Sequence, residues 1–257
     1  MDRGQSGNCT DKGEKDMAAG KKENRNPDHR IRPVAYIHTD FPTKFGIPRQ
    51  SGLTGDLEAK IVFEPEFSSP EAVRGIEEFS HLWLIWEFSE NVRKPGNWSA
   101  TVRPPRLGGN TRVGVFATRS PFRPNPLGLS VVKLKRVEQL GNGAPVLVVT
   151  GADMMDGTPV FDIKPYVPFA DSHPEAKGGF TDQTKEYELT VEIPEEFLKI
   201  LPEEKRDPLR LVLAQDPRPS YQEDPDRVYG MEFAGYEVKF TVSEKVLHVK
   251  SVEKCTV

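Results

Sequence analysis

The stretch from Thr101 to Ser130, TVRPPRLGGNTRVGVFATRSPFRPNPLGLS, constrains this chain more than any other. Its prolines (Pro104, Pro105, Pro121, Pro124, Pro126) fix the backbone φ angle, and its glycines open conformations closed to other residues. The stretch therefore reads as two rigid loops around one short strand, RVGVFAT, from Arg112 to Thr118. It carries five arginines (Arg103, Arg106, Arg112, Arg119, Arg123) and neither Asp nor Glu, in a chain of net charge −4. A solvated basic loop and an anion-binding surface both fit that charge count. Mutual repulsion among the cations, which a phosphate or carboxylate partner relieves, weighs for the second.

At 257 residues the chain has room for one large domain or two smaller ones. No run approaches eighteen apolar residues, so no membrane-spanning helix is expected. Residues 1–30 are polar, lack the apolar core of a secretory signal and are expected to form a disordered leader. Cys9 and Cys255 lie near the chain ends, which implies neither a disulfide framework nor a cysteine-held metal, and points to a reducing, cytoplasmic setting.

Ordered structure is expected from Ile31. Strands are read over Ile31–His38 and Leu57–Phe63, followed by a short helix that Ser69 caps and Pro70 begins, through Ile76. FSHLWLIWEF (residues 79–88) reads as a strand buried on both faces. Further strands are read over Leu129–Val137 and Pro145–Thr150. In the following loop Asp156-Gly157-Thr158-Pro159 forms a tight turn. Its acids Asp153, Asp156 and Asp162 match no calcium loop and have no histidine among them, so no metal is expected. A carboxylate accepting ribose hydroxyls or a cofactor amine suits the turn better. Residues 175–184 read as a linker. Beyond it come a strand over Glu186–Ile193, helical spacing over Pro194–Leu213 broken at Pro202 and Pro208, and a hairpin over Tyr236–Val252. The intervening Asp216–Gly230 segment sets Arg218 and Tyr221 together, which suits phosphates and stacked bases; a proline-rich turn packed on the sheet fits it as well.

Strands outnumber helices, and the strand–helix alternation of a doubly wound sheet is missing. There is no GxGxxG fingerprint, no phosphate loop and no GxSxG elbow. A hydrolase reading consequently ranks last, and a nucleotide-like cofactor has to be held in some other way.

FGIPRQSGL (45–53), FSHLWLIWEF (79–88), TVRPPRLGG (101–109), GVFATRSPFRPNPLGLS (114–130) and DGTPVFDIKPY (156–166) together resemble the TsaA/TrmO family. DPRPSYQ and YGMEF resemble that family's smaller C-terminal region. The resemblance implies S-adenosylmethionine-dependent methylation of N6 of threonylcarbamoyladenosine, at position 37 of tRNA. It implies a mainly β (α+β) fold with a β-barrel-like, non-Rossmann methyltransferase domain over residues 31–174. A small α+β domain over 185–257 is expected to bind tRNA and to be dispensable for cofactor binding. Homodimers with cofactor sites near the subunit interface are also implied.

By motif position, cofactor contacts are expected at Pro48, Arg49, Gln50, Ser89, Glu90, Arg119, Leu129, Asp156, Gly157, Thr158 and Pro159. At Ser89-Glu90 the chain departs from the His-Gln of some members, which shifts the expected contribution of this pair toward backbone. Arg106, Arg112, Arg123, Arg218 and Tyr221 are expected to hold the anticodon stem-loop. Asn125, followed by Pro126, is the weak candidate for holding the adenine amine, by analogy with Asn-Pro pairs in unrelated methyltransferases. A methyltransferase for another acceptor and a non-catalytic cofactor- or RNA-binding module are the alternatives.

Overall fold

The computed structural model describes residues 30–91, 98–104, 107, 110–183, 188–218 and 224–255. The leader expected over residues 1–30 falls almost wholly outside the described residues, and Arg106 and Tyr221 lie outside them too.

Twelve strands are seen among the described residues: β1 (Ala35–His38), β2 (Glu58–Phe63), β3 (His81–Glu87), β4 (Thr101–Val102), β5 (Val113–Gly114), β6 (Leu127–Gln139), β7 (Pro145–Thr150), β8 (Thr158–Pro165), β9 (Thr190–Glu192), β10 (Tyr229–Phe233), β11 (Tyr236–Ser243) and β12 (Val246–Lys254). The α-helices are α1 (Pro168–Asp171), α2 (Glu195–Leu198) and α3 (Glu203–Ala214). Six strands close into a barrel in the order β1-β2-β7-β6-β3-β8, and every pairing is antiparallel. Closure leaves no unpaired edge, and no crossover helices are needed. The fold is mainly β and unlike a doubly wound sheet, as expected.

Inward residues of alternate positions fill the barrel: Ile37, Ile61, Leu82, Leu84, Trp86, Val132, Leu147, Val149 and Val160 are all buried. The reading of residues 79–88 as buried on both faces is corrected here, because burial along β3 alternates strictly. Its outward Trp83 is only half-buried; the ring stands 5.9 Å from Tyr166 and its Nε1–H donates to Asp171 Oδ2 at 3.0 Å. Large apolar residues on the outer face hide the alternation in the sequence.

Three other expectations change. RVGVFAT contributes only Val113–Gly114 to a two-stranded ribbon with β4, then turns into a 3₁₀ helix over Val115–Ala117. Among the described residues it pairs with no further strand, and the rest of the segment does not extend as sheet. The presumed loop after Asp156 becomes β8 at Thr158, directly after Gly157 with φ 72°. Pro202 does separate α2 from α3, but α3 runs through Pro208, which is buried beside Leu209, Val212 and Leu213. The proline removes one helical hydrogen bond, and packing of that apolar face offsets the loss.

The second sheet has the order β10-β11-β12-β9, with β9 parallel to β12. Its core, built on Leu209, Leu213, Met231, Phe233, Phe240 and Leu247, also includes Phe41 and Leu57 from the segment joining β1 to β2. Phe41 and Phe233 have ring centroids 5.7 Å apart. Lys205 of α3 forms an ion pair with Asp40. Residues Arg32–Val257 thus pack as one compact unit.

Candidate cofactor cavity

β3 and β6 run side by side with Trp86 opposite Gly128. A β-carbon on Gly128 would stand 2.2 Å from Trp86 Cε2, so only glycine lets the indole lie across β6 at this point. The indole nitrogen donates to Ser130 Oγ at 3.0 Å, and Ser130 Oγ donates to Asp153 Oδ1 at 2.6 Å. Asp153 is half-buried, and burial pushes its carboxyl above the ordinary range. The Ser130 hydroxyl, the Ser51 backbone amide and the nearby Arg119 charge pull it partway back.

This polar chain opens on a cavity of about 680 Å³ whose apolar wall includes Trp86, Phe88, Leu127, Leu129 and Met154. The size suits a cofactor-sized ligand. Trp86 and Phe88 have ring centroids 4.3 Å apart. Opposing the carboxylate are cations in a linked series. Arg119 Nη1 donates to Gln50 Oε1 at 2.6 Å, Gln50 Nε2 donates to the Arg49 carbonyl at 2.6 Å, and Arg49 Nη2 donates to the Asp216 carbonyl at 2.8 Å. Lys44 Nζ donates to the Glu90 carbonyl at 2.8 Å. The site thus offers guanidinium groups for an anion, one desolvated carboxylate for a cation and aromatic surface for a flat ring.

Of the residues expected to hold cofactor, Pro48, Arg49, Gln50, Ser89, Glu90, Arg119, Leu129 and Thr158 line this one cavity. Asp156, Gly157 and Pro159 do not. The Asp156 carboxylate instead accepts from the Thr39 amide at 3.0 Å and lies 3.2 Å from His38 Nδ1. The Gly157 amide donates to the Ile37 carbonyl, and buried Pro159 faces Tyr36 across the β1–β8 pairing.

Among the residues expected on the RNA side, Arg123 also lines the cavity, with Nη1 donating to the Thr118 carbonyl at 3.3 Å. Arg112 lies beside the β4–β5 ribbon and donates to Thr101 Oγ1 at 3.1 Å. Arg218 is engaged bidentately by Asp216 at 2.8 and 3.0 Å, its side chain only 13% exposed. Asn125 is exposed outside the cavity wall, its carbonyl accepting from the Leu127 amide at 2.8 Å. Sequence reasoning missed Lys44, Trp86, Ser130 and Asp153. The usable signal for Ser130 was a lone hydroxyl at an inward position of the LSVV alternation. Among the described residues no cluster of His, Cys, Asp and Glu has the makings of a metal site.

A closed antiparallel barrel with an arginine-walled, aromatic-lined cavity defines a class of cofactor-binding β-barrel proteins unrelated to the doubly wound nucleotide binders. Comparison with known proteins narrows the class. The family model "tRNA-methyltransferase O N-terminal domain" matches residues 36–172, and the TrmO C-terminal domain model matches residues 186–255. The Escherichia coli K12 protein named tRNA (adenine(37)-N6)-methyltransferase is 41% identical over 232 residues, covering 87% of this chain and 97% of the relative. An Eikenella corrodens protein of the same name is 47% identical over 175 residues, covering 68% of this chain and 97% of that one. A crystal structure of TrmO from Pseudomonas aeruginosa superposes with a TM-score of 0.72 at 33% identity, covering 90% of this chain and all of the other. The chain belongs to the TrmO family.

Proposed function

We infer that this chain is an S-adenosylmethionine-dependent tRNA (adenine-N6)-methyltransferase acting at position 37, with threonylcarbamoyladenosine as the base it methylates. The observation that carries this reading is the convergence of Arg49, Arg119 and Asp153 on one cavity of a TrmO-family barrel. When bound, S-adenosylmethionine supplies an activated methyl group on a sulfonium sulfur. Arg49 and Arg119 grip its carboxylate by charge-assisted hydrogen bonds. Asp153 is the carboxylate best placed to favour a cationic group, since a charge in a desolvated wall acts through a low effective dielectric. Trp86 and Phe88 exclude water and present ring faces to the adenine of the cofactor. The adenine N6 of tRNA would take up that methyl group, with its proton passing to solvent. Alignment and water exclusion, worth up to roughly 7–11 kcal/mol, supply the acceleration, so no strong base is required.

RNA is held by Arg112 and the exposed aromatic pair Trp98 and Phe116, whose rings are 6.3 Å apart. Phe122, Leu127 and Leu129, apolar yet exposed, suit burial against a second copy, in keeping with a homodimer. Residues 31–174 form the catalytic domain and 185–257 the RNA-facing domain in this reading. A tRNA substrate implies a cytoplasmic enzyme, and no helix among the described residues is long and apolar enough to cross a membrane.

The test is mass spectrometry of tRNA nucleosides after incubation with the protein and S-adenosylmethionine. A gain of one methyl group on threonylcarbamoyladenosine, absent from tRNA lacking the threonylcarbamoyl group, is expected. Methylation of some other nucleoside, or none with cofactor bound, would remove the assignment.

A further inference from the structure

The loop that supplies Arg49 to the cavity is pinned along its length to the C-terminal half of the chain. Gly46, at φ 93°, lies so close to Met231 that a β-carbon there would stand 2.1 Å from the thioether sulfur. Gln215 Nε2 donates to the Leu53 carbonyl at 3.1 Å. Arg49 itself reaches the carbonyl of Asp216, the residue that follows Gln215 at the end of α3.

Asp216 is unusual on two counts. It is a non-glycine residue with φ 54°, a left-handed conformation that Asp, Asn and Gly tolerate and other side chains resist. It is also 7% exposed, and its carboxylate accepts from the Arg218 guanidinium in a bidentate pair and from the Arg218 amide. The left-handed turn aims the carbonyl at Arg49, and the ion pair on the other side of the same residue fixes the turn.

We propose that Asp216 and Arg218 are positioning residues for the cofactor: the Arg218-locked, left-handed Asp216 holds the Arg49 guanidinium in the cavity wall. The C-terminal half is then a structural part of the cofactor site as well as the region facing RNA. This rests on the cavity being the S-adenosylmethionine site. It departs from the expectation that the C-terminal region is dispensable for cofactor binding.

The test uses the full chain and calorimetric titration with S-adenosylmethionine. Asp216→Ala removes the clamp and disfavours the left-handed backbone, and is expected to weaken binding roughly tenfold, the scale of one hydrogen bond to a charged group. Asp216→Asn keeps the backbone preference and one side-chain acceptor but loses the ion pair, and is expected to bind with an affinity between those of wild type and Asp216→Ala. The deciding measurement is the double-mutant cycle with Arg49→Ala. If Asp216 acts through Arg49, Asp216→Ala causes no further loss in the Arg49→Ala background. That result also excludes general misfolding, which would weaken binding in both backgrounds. Equal losses in the two backgrounds, or wild-type affinity for Asp216→Ala, would overturn the proposal. A wild-type chain that binds no S-adenosylmethionine would instead overturn the function proposed for the cavity.

Discussion

Replacing Ser130 by alanine removes a single hydroxyl that serves two partners. Ser130 is 2% exposed and Trp86 6%, so the indole N–H loses its protein acceptor in a largely buried position. A buried donor left without a partner costs about 1–3 kcal/mol. On the other side Asp153 loses a hydrogen bond to its ionised form, about 1.5–3 kcal/mol when taken alone. Asp153 keeps the Ser51 amide, and the two losses share one oxygen, so a total of about 2–4 kcal/mol at pH 8 is expected. For a chain of this length that corresponds to a melting temperature lowered by roughly 5–15 °C.

The pH dependence is the sharper part of this prediction. Burial raises the folded-state pKa of Asp153, so its stabilising contribution is fully present below the unfolded value and is lost as pH rises through the folded one. As a donor to Asp153, the hydroxyl supports the ionised form more strongly than the protonated one. The Ser130→Ala penalty should therefore shrink toward the Trp86 share as pH falls to about 4, where an ordinary aspartate is half-protonated. In an Asp153→Asn background the penalty should no longer vary with pH. Urea unfolding at the two pH values measures both effects. A loss below about 1 kcal/mol, or an equal loss at both pH values, would refute the Trp86–Ser130–Asp153 chain as an energetic unit.

Arg119→Ala should weaken S-adenosylmethionine binding by roughly 10- to 100-fold, the scale of a lost charge-assisted hydrogen bond; unchanged affinity in calorimetry removes Arg119 from the site. On the barrel exterior, Lys135 and Arg136 both reach Glu58, because a register shift between Leu134 and Arg136 turns two consecutive cations to one side. Their hydrogen bonds lower the Glu58 pKa from 4.5 to about 2. Its contribution is thus present above pH 4.5 and is lost as pH falls toward 2. Glu58→Gln should lower the melting temperature at pH 7 by no more than roughly 2–4 °C, as befits a half-exposed network, and the difference should vanish by about pH 2. A difference that persists at the acid end would mean that packing, and not charge, is what the substitution disturbs.

Much of the barrel is legible in the sequence because its strands either alternate, as Glu58–Phe63 does, or are apolar throughout, as Pro145–Thr150 is. What fails is any reading that depends on a neighbour distant in sequence. Val113–Gly114 stops short because, among the described residues, it pairs with a strand of two residues, Thr101–Val102. Pro208 sits inside a helix because the sheet beneath that face stabilises it. The acids show the limit most clearly. Asp153 and Asp156 are three residues apart in one loop and nothing local separates them. The Thr39 amide and His38 at the end of β1 draw Asp156 out of the cavity, while Ser130 draws Asp153 in. Likewise the five arginines between Thr101 and Ser130 announce an anion site, but which of them face it depends on partners far away, such as Gln50 for Arg119.

Position 216 brings these considerations to one residue. Its contact with Arg49 is made by a main-chain carbonyl, so the requirement is on backbone handedness first and side chain second. Glycine, asparagine and aspartate meet the first requirement; aspartate alone adds the ionic clamp on Arg218. A β-branched residue meets neither, and Asp216→Val should therefore weaken cofactor binding more than Asp216→Ala. Asp216→Gly should recover the share of the affinity lost in Asp216→Ala that is owed to handedness, despite removing still more of the side chain, and leave the share owed to the Arg218 clamp lost. Ranking the four variants by affinity separates handedness from packing: an order that follows side-chain volume instead of left-handed tolerance would leave the carbonyl contact without a role.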